Sequence, residues 1–237
     1  HRMRSDRRIG IAVQTWNRLE YLQKCFPTWR DVPNAFLAIC DAGSDDETLG
    51  WLCEQEMDWV HYGSNLNPAQ CYNRMLTMFR FDHPDIEYIL LGTPDFELHP
   101  GAVDAMVELM DASPDAGFIG WLQAKYGEFE PDNGYVWEIG HECLLQRQQM
   151  WKEIGLYTET LGFYHCDSCQ STIANQYGWR TRLVDAIWPD KGPGYTHHGR
   201  DVHTDTIAPL RAKDHARWIK LTDNMFNFWR GKIEREG

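Results

Sequence analysis

Short apolar runs alternate with amphipathic segments along the first half of the chain. Runs typical of strands cover residues 9–15, 35–40, 59–62 and 89–95, and the last of them ends at Asp95. Apolar residues at helical spacing predict helices over residues 18–26, 47–56, 69–81 and 102–110. We expect Asn17 to cap the first helix and Pro27 to end it. This alternation predicts an α/β fold with a mostly parallel central sheet flanked by helices.

The second half of the chain is less regular and is rich in tryptophan, glycine and proline. Strands are predicted over residues 117–121, 135–139 and 180–184, and helices over 146–154 and 168–177. Residues 123–134 form a predicted polar loop, and 189–205 a long loop of the kind that is usually functional or mobile. We therefore expect a single domain over residues 3–237. It comprises a first half at 9–121, a second half at 122–205 and a C-terminal helix within 206–237.

Charge and cysteine content narrow the class of protein. The formal net charge of the 237-residue chain is -12 at pH 7, so its overall field repels a nucleic-acid backbone. The seven cysteines lack the spacing of a small disulfide scaffold, which favours reduced, buried thiols in a cytoplasmic protein. Because no run of 18 apolar residues is present, no transmembrane helix is expected.

Four segments rich in polar residues lie at or just after the ends of the predicted strands, and their order along the chain is informative. They are Val13-Gln14-Thr15-Trp16-Asn17-Arg18, Cys40-Asp41-Ala42-Gly43-Ser44-Asp45, the stretch from Asn65 to Asn73, and Thr93-Pro94-Asp95. This order resembles the nucleotide-sugar domain of family two glycosyltransferases, with its P-T-Y-N-R, D-x-G-S-x-D, N-x-G-x-x-x-x-x-N and D-x-D segments. The resemblance covers roughly residues 9 to 200. It implies a GT-A fold and an inverting, hexosyltransferase-like transfer from a nucleotide-diphosphate sugar, with a UDP-sugar favoured, to an acceptor hydroxyl.

The leaving group of such a reaction explains the expected metal. A departing diphosphate is a dianion, so its charge must be stabilised by a divalent cation or by fixed positive charge. The resemblance makes Asp95 the primary ligand of a Mn²⁺ or Mg²⁺ ion. Thr93 stands where the family has the first acid of its D-x-D, so Asp95 lacks the customary partner. The alternative is a strand-end aspartate that only caps the next turn.

A histidine from a C-terminal loop often completes the metal site of GT-A enzymes. Here the resemblance points to His198, with His197 as the alternate, and two exposed loop histidines are the other interpretation. Lys191 and Arg200 of the same loop are expected to contact the diphosphate if the loop closes as a lid.

The resemblance also implies where the nucleoside binds. It gives Asp41 the role of accepting hydrogen bonds from the base or the ribose, and it places Thr15, Asn17 and Arg18 along the same edge. Gln70 and Asn73 at a helix start are further candidates. Local roles are the alternatives, because Asp-x-Gly-Ser forms turns by itself and a polar residue at a helix start is often a cap.

On the acceptor side, the segment 163–168 resembles the family segment that carries an acidic pair. The resemblance makes Asp167 the base that removes the proton of the acceptor hydroxyl. The alternative is that Asp167 is the N-cap of the helix over 168–177. A structural zinc site at Cys166 and Cys169 with His141 and Cys143 is disfavoured, because the cysteine pair flanks a predicted helix start in the proposed active region and His141-x-Cys143 lacks zinc-finger spacing.

The sequence leaves the acceptor open: a saccharide, a small molecule or modified DNA. It also leaves open the oligomeric state and two rival functions. One rival is a phage-type glycosyltransferase that acts on hydroxymethylated DNA bases, which the arginine-rich ends allow and the net charge opposes. The other is a non-catalytic nucleotide-sugar-binding module, suggested by the incomplete acidic motif Thr93-Pro94-Asp95.

Overall fold

Strands and helices alternate along the chain from residue 9 to residue 92, and several strands follow one another after that. The computed structural model describes residues 9–122, 125–130, 135–161, 165–198 and 213–221. The strands are β1 Ile9–Thr15, β2 Ala35–Asp41, β3 Trp59–Tyr62, β4 Tyr88–Gly92, β5 Phe96–Leu98, β6 Ala116–Gly120, β7 Lys125–Glu130, β8 Tyr135–Ile139, β9 Cys143–Arg147, β10 Arg180–Leu183 and β11 Tyr195–His197. The helices are α1 Leu19–Arg30, α2 Thr48–Cys53, α3 Pro68–Asp82, α4 Ala102–Ala112, α5 Gln148–Ile154, α6 Cys166–Gln176 and α7 Val184–Ile187. Residues 213–221 are also helical, and a short 3-10 turn covers Pro189–Lys191.

The large sheet has the strand order β3-β2-β1-β4-β9-β6-β10-β8-β7. β1 to β4, β6, β7 and β10 run in one direction, whereas β8 and β9 run opposite to them. This arrangement confirms the expected α/β fold with a mostly parallel sheet. A separate two-stranded sheet pairs β5 with β11.

The core lies around the central strands of the large sheet. β4, β6 and most of β1, β2 and β9 are buried, as expected for strands covered on both faces. α3 packs on β1 and β2, α4 on β6, and α6 on β8 and β10. These helices leave the carboxyl ends of β1, β2 and β4 at one edge, where open α/β sheets bind ligands.

The first helix differs from the prediction at both ends. α1 continues through Pro27 to Arg30, and its N-cap is Arg18, not Asn17. A proline within a helix removes one backbone donor, but tertiary packing compensates here. Trp29 in the last turn is fully buried, stacks on Phe96 with ring centroids 5.0 Å apart, and donates from Nε1 to the Phe96 carbonyl at 2.8 Å.

Four strands were absent from the prediction, and one of them is β5, which follows the predicted strand 89–95. β7 lies in the expected loop 123–134, β9 takes the first residues of the expected helix 146–154, and β11 lies in the expected loop 189–205. β9 forms because Leu145 is inserted between Leu90 of β4 and Ile119 of β6, a partnership that local periodicity does not reveal. Of the predicted C-terminal helix, the part outside 213–221 lies beyond the described residues.

The cysteines agree with the prediction of reduced thiols. All seven are free, and six of them are buried. Within the described ranges, no helix is long and apolar enough to cross a membrane.

Candidate active site

Asp95 lies on the sharp turn that follows β4. A side chain at Gly92 would meet Phe96, because an added Cβ would lie 2.0 Å from the Phe96 ring. Glycine therefore allows the chain to fold back at the end of β4 and enter β5. Asp95, only 6% exposed, is held by this turn at the carboxyl edge of the parallel strands.

The strand β11 brings a histidine to Asp95 from a hundred residues downstream. β11 pairs antiparallel with β5, with His197 opposite Phe96, and the N–H of His198 donates to the Asp95 carbonyl at 2.9 Å. This register places His197 Nε2 3.3 Å from Asp95 Oδ1. Asp95 Oδ1 is buried and makes no hydrogen bond of good geometry with the described residues. A carboxylate oxygen and an imidazole nitrogen thus face each other in a nearly closed site.

The ionisation of Asp95 is set by two opposing influences. Burial alone would raise the pKa of this carboxyl, but the side chains of His197 and Thr93 outweigh burial and hold the pKa below its ordinary value. Asp95 is therefore ionised at neutral pH and can act as a metal ligand. Thr93, the neutral residue at the first acidic position, lies beside it, and its hydroxyl oxygen is buried.

His198, which the resemblance favoured over His197, points away from Asp95. Its Nε2 lies 2.7 Å from Glu97 Oε2, and its Nδ1 lies 3.3 Å from Lys24 Nζ. Of the two adjacent histidines, the structure brings His197 to the predicted metal ligand and engages His198 elsewhere.

The donor set fits a metal ion that also needs ligands from its substrate. In the part of the chain that the structure describes, no three His, Cys, Asp or Glu side chains converge as a metal site. That result also counts against zinc at Cys166 and Cys169. Mg²⁺ and its relatives are commonly held by one or two protein groups together with phosphate oxygens. Asp95 and His197 match that requirement, because Oδ1 is buried and lacks a good hydrogen bond.

Asp41 organises the neighbouring edge at the end of β2. Its Oδ1 accepts from the N–H groups of Gly43 and Ser44 at 2.9 and 2.8 Å, and its Oδ2 accepts from the Ser44 hydroxyl at 2.6 Å. These contacts confirm the turn role that the sequence offered as the alternative. The fully buried Asp41 shapes the loop 42–45, and its nucleoside role stays a prediction.

Asn17 ties the loop after β1 to the loop after β2. Its backbone N–H donates to Ser44 Oγ at 2.9 Å, its side chain donates to Asp45 Oδ1 at 2.6 Å, and its Oδ1 accepts from the Asp45 N–H at 2.9 Å. Asn17 adopts a left-handed φ of 49°, which asparagine tolerates better than most residues. Thr15, at the end of β1, pairs with Asp41 in the sheet register and is fully buried.

Arg18 and Trp16 complete this edge. The Arg18 guanidinium lies 5.3 Å from the centre of the Tyr21 ring. Trp16 is 48% exposed and lies between Thr15 and Asn17, and the sequence motif assigned it no role of its own.

Gln70 and Asn73 have partners within the protein. Gln70 forms a capping box with Asn67 at the start of α3. Asn73 donates to the carbonyl of Tyr157 and to Glu159 Oε1, both at 2.9 Å, and accepts from the Tyr157 N–H at 2.9 Å. These two side chains join α3 to the segment 157–159, and a contact with the donor stays a prediction.

Asp167 lies in the first turn of α6, where a carboxylate is favoured by the helix dipole. The N-cap of α6 is His165, so the alternative that Asp167 is the cap is wrong. Burial is the main influence that raises the pKa of Tyr72, and the nearby Asp167 and Asp95 both add to it. The hydroxyl of this buried tyrosine donates to the Gly92 carbonyl at 3.3 Å.

Of the two basic residues predicted to contact the diphosphate, the structure describes one. Lys191 is exposed in the 3-10 turn before β11, with Nζ 5.8 Å from the centre of the Trp188 ring. Arg200 lies outside the described residues. Trp121 is buried beneath the chain at Gly194, where an added Cβ would lie 2.0 Å from the indole.

Solved structures share this architecture. A mannosyltransferase from Pyrobaculum calidifontis, in complex with GDP-Man and Mn²⁺, has a TM-score of 0.58 at 15% identity, over 76% of this chain and 55% of that one. The chain has a GT-A glycosyltransferase fold. The GT-A neighbours also include S. aureus TarS 1–349 with UDP-GlcNAc, at TM-score 0.58 and 12% identity over 83% and 62% of the two chains. GalNAc-T7 with UDP, GalNAc and Mn²⁺ has a TM-score of 0.62 at 10% identity over 75% and 42%.

These likenesses confirm the GT-A fold that the sequence motifs implied. The chain spans 55%, 62% and 42% of the lengths of these three structures. No protein-family model matches the sequence, and no curated protein matches it either.

Proposed function

We propose that this chain transfers a sugar from a nucleotide-diphosphate sugar to an acceptor hydroxyl with the help of Mn²⁺ or Mg²⁺. The observation that carries the proposal is the meeting of Asp95 and His197 at the carboxyl edge of β4 within a GT-A fold. Structural neighbours solved with GDP-Man, with UDP-GlcNAc, and with UDP and Mn²⁺ support this class of donor.

Asp95 and His197 would hold the metal, and the diphosphate would supply further oxygen ligands. A bound divalent cation offsets the negative charge that develops on the diphosphate as the sugar leaves. The charged form of Asp95 is already favoured by its neighbours, so this carboxyl has no proton to lose when the ion binds, whereas Nε2 of His197 must present a lone pair and not an N–H to the metal. Lys191, and Arg200 if it reaches the site, would add fixed positive charge near the leaving group.

The nucleoside would occupy the edge formed by residues 15–18 and 41–45. Hydrogen bonds from Asn17 to Ser44 and Asp45 hold these two loops together, so the edge is organised before a ligand arrives. The exposed Trp16 offers a flat apolar face for a base. A UDP-sugar is our first choice of donor.

Asp167 would act on the acceptor side as the general base. In an inverting transfer, a carboxylate takes the hydroxyl proton while the acceptor oxygen attacks the anomeric carbon opposite the leaving group. The place of Asp167 in the first turn of α6, together with the resemblance of segment 163–168 to the family segment that carries an acidic pair, supports this assignment.

Donor binding is tested by thermal unfolding with UDP-, GDP-, CMP- and dTDP-sugars, with and without Mn²⁺. A ligand at about a hundred times its Kd stabilises the folded state by about 2.7 kcal/mol, which for a chain of this size raises Tm by roughly 5–10 °C. We expect one donor to give this shift with Mn²⁺, and Asp95→Asn to abolish the metal-dependent part. Asp104→Asn, an exposed acid in the first turn of α4, is the matched control. If no donor raises Tm, the proposal is wrong.

Catalysis is tested separately with Asp167→Asn. We expect kcat to fall by about 10²- to 10⁴-fold, while the donor-induced rise in Tm stays as in the wild-type protein. Donor binding without turnover in the wild-type protein, for any hydroxyl acceptor or for water, would instead identify a non-catalytic binding module.

A further inference from the structure

We infer that His198 is a positioning residue, held between Lys24 and Glu97, that fixes β11 in the register in which His197 faces Asp95. This inference rests on the proposed function, because it gives the two adjacent histidines different tasks at the same donor site. It assigns roles to Lys24 and Glu97, which no sequence motif identified.

The ring of His198 has a hydrogen-bond partner at each nitrogen. Lys24 Nζ lies 3.3 Å from Nδ1, and a lysine ammonium can only donate, so Nδ1 accepts. Nε2 lies 2.7 Å from Glu97 Oε2 and therefore carries the proton that it donates to this carboxylate. Both ring nitrogens are thus engaged. In this arrangement His198 has no lone pair left for a metal ion.

The small sheet needs such an anchor because it is short. β5 and β11 have three residues each, and isolated two-stranded sheets of this size are marginal in water. The start of β11 is held by the Tyr195 hydroxyl, which donates to Glu142 Oε2 at 3.0 Å, and by the His99 N–H, which donates to the Gly194 carbonyl at 2.9 Å. At the far end, beyond His197, His198 binds Asp95 through its backbone and Glu97 and Lys24 through its ring.

The anchor also selects the register. A slip of one residue along β5 would put His198 opposite Phe96 in place of His197. It would also separate His198 from Glu97 and Lys24. Because α1 carries Lys24 and β5 carries Glu97, the contact joins three elements at the place where the Asp95–His197 pair forms.

Amide hydrogen exchange of the metal-free protein tests this inference without any turnover. The variant His198→Ala loses both ring contacts. We expect the exchange protection of the amides of residues 194–198 to fall about tenfold in this variant. His198→Gln, whose amide can both donate and accept, is expected to restore most of the protection. His197→Ala, the adjacent control, should leave it unchanged. Unaltered protection in His198→Ala would overturn the inference.

Mn²⁺ binding in the presence of UDP, followed by electron paramagnetic resonance of the free ion, separates a positioning residue from a ligand. We expect His197→Ala to abolish binding and His198→Ala to weaken it about tenfold, in proportion to the lost protection. Lys24→Met should weaken Mn²⁺ binding, whereas the control Lys152→Met, at an exposed lysine of α5, should not. In the double variant, Lys24→Met should add little to the effect of His198→Ala, because the two residues act through one contact. Full additivity of Lys24→Met and His198→Ala would contradict the inference.

The two proposals fail in different ways. If wild-type protein binds no Mn²⁺ with any nucleotide, the proposed function fails, whereas the exchange experiment still decides whether His198 anchors β11. If binding occurs but His198→Ala abolishes it with normal exchange protection, His198 is a ligand and the positioning role is wrong.

Discussion

Acidification is expected to destabilise this protein through one buried histidine. His141, 6% exposed, lies just before β9, and its Nδ1 shares a hydrogen bond with the Tyr157 hydroxyl. The Gln146 side chain donates to the same hydroxyl at 3.0 Å, so the tyrosine proton is directed at Nδ1 and the imidazole is neutral. Burial lowers the pKa of His141 to about 3.

The sign of the effect follows from the two pKa values. An unfolded histidine has a pKa of about 6.5, so between pH 6.5 and 3 the unfolded chain binds a proton that the folded chain excludes. Stability is therefore lost as pH falls through this window and levels off below pH 3. From pH 7 to pH 5 the free energy of unfolding should drop by about 2 kcal/mol on account of this residue.

Urea unfolding of wild-type protein and of His141→Gln at pH 7, 6 and 5 isolates this contribution from the other titrating groups. The variant should be less stable at pH 7, because it loses packing beside Tyr157 and Phe118. Its further loss between pH 7 and pH 5 should be smaller than that of the wild-type protein by about 2 kcal/mol. Equal losses in the two proteins, or an NMR titration of His141 near pH 6.5 in the folded state, would refute the reasoning.

Three further substitutions probe the site. Gly194→Ala should displace β11, because its Cβ would lie 2.0 Å from Trp121. It should lower Mn²⁺ affinity in the UDP titration more than Gly50→Ala, where the space is open and the backbone is helical. Asn73→Ala should cost about 1–3 kcal/mol in urea unfolding, since it leaves the buried groups of Tyr157 without their partner. Thr93→Asp should place a second carboxylate beside Asp95 and therefore lower Tm in the absence of metal. Added Mn²⁺ should raise Tm more in Thr93→Asp than in the control Thr93→Asn. An equal rise in the two variants would argue against a metal at Asp95.

The first half of the fold could be predicted because its signals are local. The apolar runs of β1, β2 and β4 are buried over nearly their whole length, and α3 begins at a proline and a capping box. The error at Pro27 arose from a local rule that tertiary contacts overrode. Stacking of Trp29 on Phe96 joins α1 to a strand nearly seventy residues away, and this contact stabilises the turn beyond the proline.

The polar motif residues were found, but not the groups they bind. Asp41 lies at the end of β2 and Asn73 lies in α3, and the structure shows their side chains bonded to Ser44 and to Tyr157. A motif reveals that a polar side chain is needed at a position, and the same amide or carboxylate serves a ligand or a neighbouring loop equally well. Only the three-dimensional contacts distinguish these uses.

The sequence could not distinguish the roles of His197 and His198 for the same reason, because those roles depend on three-dimensional contacts. Both histidines occupy a loop without apolar periodicity, and their roles depend on β11 pairing with β5, whose residues lie about a hundred positions earlier. Once the register is known, the chemistry differs sharply. His197 faces a buried carboxylate oxygen that lacks a good hydrogen bond, whereas both ring nitrogens of His198 are hydrogen-bonded, one to Glu97 and the other to Lys24.

The proposed metal site is poor in protein ligands, and this has a consequence for the order of binding. Thr93 supplies no charge, so one carboxylate and one neutral imidazole would face the ion, which would leave half of a divalent charge uncompensated. The diphosphate of the donor carries the missing charge and the missing oxygens. Metal and nucleotide should therefore bind together far more tightly than either binds alone, and a protein of this design retains little Mn²⁺ after the diphosphate has left.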